Sequence, residues 1–171
     1  MIVEDATGIE TAARYLSVME EVSILTDLAP SSTFHSLSAE LQEAALKTAT
    51  IQLDTFFSIG GTIFSTTQSL KCPRQNLYDS EGRLLQGVPR LLKYSVALQA
   101  DYVSENDWRE DLSTDIKKVD IGPISMELSQ VGAQSARQKS PITLAASQFM
   151  KSFATSIIKS GRRGSTRLVS S

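Results

Sequence analysis

One histidine, His35, and one cysteine, Cys72, are the side chains best suited to acid–base or nucleophilic chemistry. A hydrolytic triad needs a nucleophile, a base and an acid that orients the base. No Gly-x-Ser-x-Gly elbow supplies the nucleophile, so His35 reads as an ordinary loop or capping residue. Cys72 stands before Pro73, with Lys71 and Arg74 close in sequence. A reactive thiol requires a lowered pKa; Cys72 reads instead as a small packed side chain. A lone cysteine makes no intramolecular disulfide and no cysteine-based zinc site. Gly60-Gly61 lacks the Lys-Ser/Thr of a phosphate loop. Glu105, Asp107, Glu110, Asp111 and Asp115 lack the glycine and terminal glutamate of a calcium loop, and read as a solvated acidic turn. The expectation is a protein with no catalytic residue, no metal and no cofactor.

The charged feature that stands out is basic. Lys159, Arg162, Arg163 and Arg167 follow one another near the C-terminus, and no acid lies between Arg162 and Ser171. They could neutralise phosphates, meet an acidic protein surface through arginine forks, or form a solvated end. The formal net charge of the chain is −2, a poor start for a protein whose main partner is a phosphate backbone. No apolar run approaches the ~20 residues that span a bilayer, and the first residues carry no secretory pattern. At 171 residues the chain fits one domain with one core.

Hydrophobic spacing places the elements. Ser17 with Glu20 is a capping box, so a first helix is expected from about Val18 to Asp27, with Val18, Val22 and Leu25 on one stripe. Ser38 caps a second helix, with Leu41, Ala45, Ala49, Leu53 and Phe56 on one face and Gly60-Gly61 as its stop. Thr62 to Val88 reads as a long connection with little regular structure, too rich in leucine to be a solvated linker. Within it, Asp79-Ser80-Glu81-Gly82 is a turn. Pro89 opens a third helix that reaches about Glu105. Leu92, Val96 and Val103 form one stripe of it. Leu91, Tyr94, Leu98 and Tyr102 widen the apolar arc, as though a partner chain covered a second side. The alternation of Val119–Ile121 and Ile124–Met126 about Gly122-Pro123 predicts a hairpin with Val119 opposite Met126 and Lys118 opposite Glu127. Residues 129–140 read as a linker. Ser140-Pro141 should start a last helix that runs to Gly161, with Ile142, Ala146, Phe149, Phe153 and Ile157 on one face.

The stretch Thr66–Ala100 carries a Pro73-Arg74 step, a Tyr78-Asp79-x-x-Gly82 turn and Val88-Pro89 at a helix start. With the N-terminus through Tyr15 and Ser17, the segment Leu41–Asp54 and the Gly-Pro hairpin Val119–Leu128, it resembles the head-to-tail adaptors of tailed bacteriophages. That family is often labelled DnaT-like single-stranded-DNA-binding protein. Cys72 stands where the family usually has tryptophan.

Periodicity and resemblance together give a mainly α protein: a small helical bundle with a long packed loop and one β-hairpin. Residues 1–128 would be the core with its hairpin, 129–140 a linker, and 141–171 a C-terminal helix and basic tail. The resemblance implies a non-enzymatic structural protein of the virion, placed at the head–tail junction and assembled in the host cytoplasm. It would form a homo-oligomeric ring, a dodecamer, that docks on the portal, meets tail or nozzle proteins and lets genomic DNA pass without sequence-specific binding. No membrane is involved. Leu91, Tyr94, Leu98 and Tyr102 are the expected subunit interface. Lys159, Arg162, Arg163 and Arg167 are the expected portal contact, and Arg74 is expected to make structural hydrogen bonds. The alternative is a single-stranded-DNA-binding protein of the DnaT-like type, which needs aromatic platforms along a basic groove.

Overall fold

A computed structural model describes residues 2–106 and 142–157, and the backbone of 119–121 and 124–126. The chain is mainly α, with small antiparallel strand pairs. Helix α1 is Val18–Leu28. Its capping box is complete: the Ser17 hydroxyl accepts from Glu20 N at 3.2 Å, and Glu20 Oε2 accepts from Ser17 N at 2.9 Å. A short 3-10 turn, Thr33–Ser36, leads to α2, Ala39–Phe56. Ser38 caps α2 through its hydroxyl, as its position before the apolar run predicts. Ala45, Leu46, Ala49 and Leu53 are buried. Leu41, expected on that face, is 57% exposed, while the neighbouring Gln42 is buried and donates to Phe34 O at 3.0 Å.

The segment after α2 departs most from expectation. Gly60-Gly61 does not end the helix. The chain leaves α2 at Phe56 and runs on as β1, Phe57–Ile59, followed by β2, Thr62–Ile63. Next come β3, Arg74–Gln75, β4, Leu77–Tyr78, and β5, Leu84–Leu85. Strand β2 pairs with β3, and β4 with β5, both antiparallel. The long connection therefore has regular pairs, each too short to show a period of two. Gly61 holds φ +70, and a Cβ there would sit 2.4 Å from Gln75 O. Only glycine fits where the two strands approach so closely.

Helix α3 is Arg90–Glu105, with Pro89 just before it. It packs chiefly on α2, and its Leu92, Val96, Ala97 and Ala100 are buried. Burying a leucine or valine fully contributes about 1.5–3 kcal/mol, and the alanines let the helix axes approach. The hairpin is present: β6, Val119–Ile121, pairs with β7, Ile124–Met126, with Val119 opposite Met126 as the alternation predicts. The Lys118–Glu127 pair, the 129–140 linker and Pro141 lie outside the described residues.

The last helix is shorter than the sequence suggests. Helix α4 is Leu144–Met150, and its cap is Thr143, whose hydroxyl accepts from Ala146 N at 3.1 Å. After a turn at 151–153 the chain forms β8, Ala154–Ser156, antiparallel to β1 with Phe57 opposite Ser156. The apolar spacing that continued through Phe153 and Ile157 looked helical. The open edge of β1 offers the backbone a ladder instead, and tertiary pairing overrides propensity. Phe153 is still buried, whereas Ile157 is 55% exposed. Helix α4 packs on α3. Buried Gln99 ties three elements together: its amide donates to Gln52 Oε1 at 2.7 Å, and its oxygen accepts from Thr143 N at 2.9 Å.

Candidate functional site

Two places on this frame gather polar and aromatic groups. The first is internal and anchors the 57–88 segment. The Tyr15 hydroxyl lies 2.8 and 3.0 Å from the two Asp54 oxygens, and it accepts from Cys72 N at 3.0 Å. Asp54 also accepts from Lys71 N at 3.0 Å, and Lys71 Nζ donates to Phe57 O at 2.8 Å. Arg74 donates to Lys71 O and Gly61 O, the structural role expected of it. The Gln68 side chain accepts from Phe64 N and Ser65 N and donates to Leu70 O and Pro73 O. Asp79 accepts from Glu81 N, Arg83 N and Arg83 Nε, so the predicted turn forms with Gly82 at positive φ.

Burial sets the electrostatics of this cluster. It raises the Asp54 pKa, and the donors around the carboxylate only partly oppose it. Burial, reinforced by the Asp54 charge, raises Tyr15 well above the ordinary phenol value. It also pushes the Cys72 thiol up to about 12. Such a thiol is inert, which agrees with the packed reading. The cluster anchors the 57–88 segment to Tyr15 and to Asp54 of α2.

The second place is open. A groove of about 330 Å³ runs between α1 and α3, lined by Glu20, Ile24, Asp27, Arg90, Lys93 and Tyr94 among others. Three of these come from one stretch of α3. Arg90 and Tyr94 are four residues apart, so they share a face. The Arg90 guanidinium lies 5.0 Å from the Tyr94 ring centroid, and Arg90 Nε donates to the Tyr94 hydroxyl. The Tyr94 ring meets Phe149 of α4 edge-on, centroids 5.9 Å apart. On the α1 side, Glu20 Oε1 accepts from Lys93 Nζ at 2.8 Å. Burial tends to raise the Glu20 pKa, but the bonds from Lys93 and Ser17 outweigh it and hold the carboxyl below its usual value. The groove thus offers a planar cation, an aromatic ring and an ammonium at one mouth.

The sequence-predicted residues scatter. Tyr94 lies in this groove, half-buried against Phe149. Leu91 and Leu98 pack on the core from its margin, and Tyr102 is half-buried toward the end of α3. His35 is exposed in the 3-10 turn. Lys159, Arg162, Arg163 and Arg167, and the acids from Asp107 to Asp115, lie outside the described residues. Among the described residues no cluster of His, Cys, Asp or Glu could hold a metal, and no helix is long and apolar enough to cross a membrane.

Sequence reasoning missed Arg90 and Lys93, although the Arg90–Tyr94 spacing was a readable signal. It also missed Glu21. This carboxyl is fully buried, and neither of its oxygens has a hydrogen-bond partner. Burial, helped by the Asp101 charge and opposed by Arg14, pushes it up to about 9. Its spacing was a readable signal: Glu21 stands three residues after Val18 and four before Leu25, on the apolar stripe of α1.

No curated protein and no solved structure matches the chain. One family model matches residues 1–169, nearly the whole sequence. The chain therefore belongs to the family described as "Putative DnaT-like ssDNA binding protein".

Proposed function

We propose that this protein binds single-stranded DNA, without covalent chemistry, through the groove between α1 and α3. The observation that carries the reading is the family match across residues 1–169. The groove supplies chemistry of the right kind. Single strands are held where aromatic rings stack bases and nearby cations meet phosphates. Arg90 already makes a cation–π contact with Tyr94, and a base offers another flat π-face to this pair. Lys93 stands one residue from Tyr94 to take a phosphate. With a net charge of −2 the attraction must be local, so a short site with modest salt dependence is expected. Fluorescence anisotropy of a labelled oligothymidylate, with a duplex of equal length as competitor, tests this. Saturable binding that the duplex does not displace supports the reading; no binding at low salt overturns it.

A second reading has its own observation. Ile63, Phe64, Tyr78 and Leu84 of the 57–88 segment stand about half exposed. Apolar groups of this size are what a protein partner covers. On the resemblance to head-to-tail adaptors, that partner would be a neighbouring subunit in a ring that joins a phage head to its tail, docked on a portal and carried in the virion. Sedimentation of the protein alone and with portal rings separates the two readings.

A further inference from the structure

The groove's charges cancel among themselves. Glu20 and Asp27 come from α1, Arg90 and Lys93 from α3. Glu20 cannot simply swing aside, because its other oxygen is fixed in the capping box by Ser17 N at 2.9 Å and Ser17 Oγ at 3.0 Å. One carboxylate therefore caps α1 and at the same time occupies the ammonium of Lys93 at 2.8 Å. Lys93 is the groove cation with an acid already on it; Arg90 is exposed and lies on Tyr94.

We infer that Glu20 is a built-in competitor for the phosphate of a bound nucleotide, and that the groove takes one unpaired base on Arg90 and Tyr94 with its phosphate on Lys93. This rests on the single-strand reading above. A phosphate approaching Lys93 meets the fixed carboxylate of Glu20, so binding must weaken or share an existing ion pair. Exposed pairs of this kind are weak. The blockade is therefore a tuning of affinity rather than a closed gate. It leaves the groove selective for a ligand that also stacks, because a phosphate alone gains little from displacing Glu20.

Chemistry provides a clean probe. Glutamine serves as well as glutamate at the third helical position of a capping box, so Glu20→Gln keeps the cap and removes the charge. In the full-length protein, E20Q should tighten binding of a labelled oligothymidylate by about fivefold, the worth of one exposed ion pair. In a Lys93→Gln background the same change should give less than about half that gain, since the two groups then no longer compete. Inorganic phosphate alone should compete poorly with the oligonucleotide for both E20Q and the parent. Thermal melting of E20Q should match the parent, which confirms that the cap survives; a lowered melt would call for the same cycle with Lys93→Gln and Lys93→Arg alone, where only the arginine should restore binding. If the parent binds and neither E20Q nor Lys93→Gln alters affinity, the inference is overturned while the single-strand reading stands. If neither parent nor E20Q binds, both fall.

Discussion

Two surfaces of this molecule present half-exposed aromatic side chains, and they differ in what their charges are doing. On the 57–88 segment, Tyr78 and Leu84 face each other across β4 and β5 and are 53% and 50% exposed. The nearby cations are committed: Arg83 to Asp79 and Glu81, Arg74 to backbone carbonyls. Beneath, the segment is held by the satisfied network around Asp54. In the α1–α3 groove, Arg90 lies on an aromatic ring, and Lys93 is held by a single carboxylate. A surface whose cations are each held by two of its own acceptors suits an apolar partner. A surface whose cations can be exchanged suits an anion. On the single-strand reading proposed above, the groove is the surface expected to take DNA, and the 57–88 segment the surface a protein partner would cover.

The contrast breaks most severely if the anchor fails. Asp54→Ala leaves the Tyr15 hydroxyl and Lys71 N without their acceptor in a buried site, and should cost about 3 kcal/mol or more. Urea unfolding followed by fluorescence would read it, with earlier proteolysis inside 57–88 and an unaltered groove.

The second effect concerns the carboxyl that has no such network. Glu21 has a folded-state pKa of about 9 against 4.5 for the free group. Because that value is raised, the folded protein holds a proton that the unfolded chain releases. The contribution is complete below pH 4.5 and is lost as pH rises toward 9. The loss should amount to a few kcal/mol, on the order set by the linkage relation. Glu21→Gln should flatten the stability curve across that window and leave the variant the more stable at its alkaline end. Denaturation midpoints at several pH values check the sign.

The third is a binding effect. Tyr94→Ala should cost about 1–3 kcal/mol of oligonucleotide affinity, the worth of one stacked base. The smallest belongs to the apolar surface. Tyr78→Ser with Leu84→Ser should alter stability by no more than about 0.5 kcal/mol and leave oligonucleotide affinity untouched. Self-association lost in that variant by sedimentation would sharpen the contrast; DNA binding lost in it would reverse the assignment.

What the sequence made legible follows from range. The capping box at Ser17–Glu20, the Asp79–Gly82 turn and the β6–β7 register are each set by neighbours within a few positions, and each is where its residues put it. The β1–β8 pair joins residues nearly a hundred positions apart, and no local period announces it. Its absence from the reading is why Ala154–Ser156 looked helical. The groove was half legible. Tyr94 stood out as surplus apolar area on α3, but Phe149, which its ring meets, and Glu20, which pairs with Lys93, come from other helices. Glu21 was half legible too: its place between Val18 and Leu25 puts it on the buried stripe of α1, but the charges of Arg14 and Asp101 that act on it come from elsewhere in the chain.

Where a single strand lies on the molecule is directly measurable. A single-stranded oligonucleotide carrying iodouracil, irradiated in complex with the full-length protein, attaches to an aromatic ring stacked on the base, and peptide mass spectrometry identifies the ring. Stacking in the groove predicts an adduct on Tyr94 that weakens only modestly with added salt and is lost in Arg90→Ala. An adduct on Tyr78 or Phe64 instead would place the strand on the 57–88 segment and contradict it.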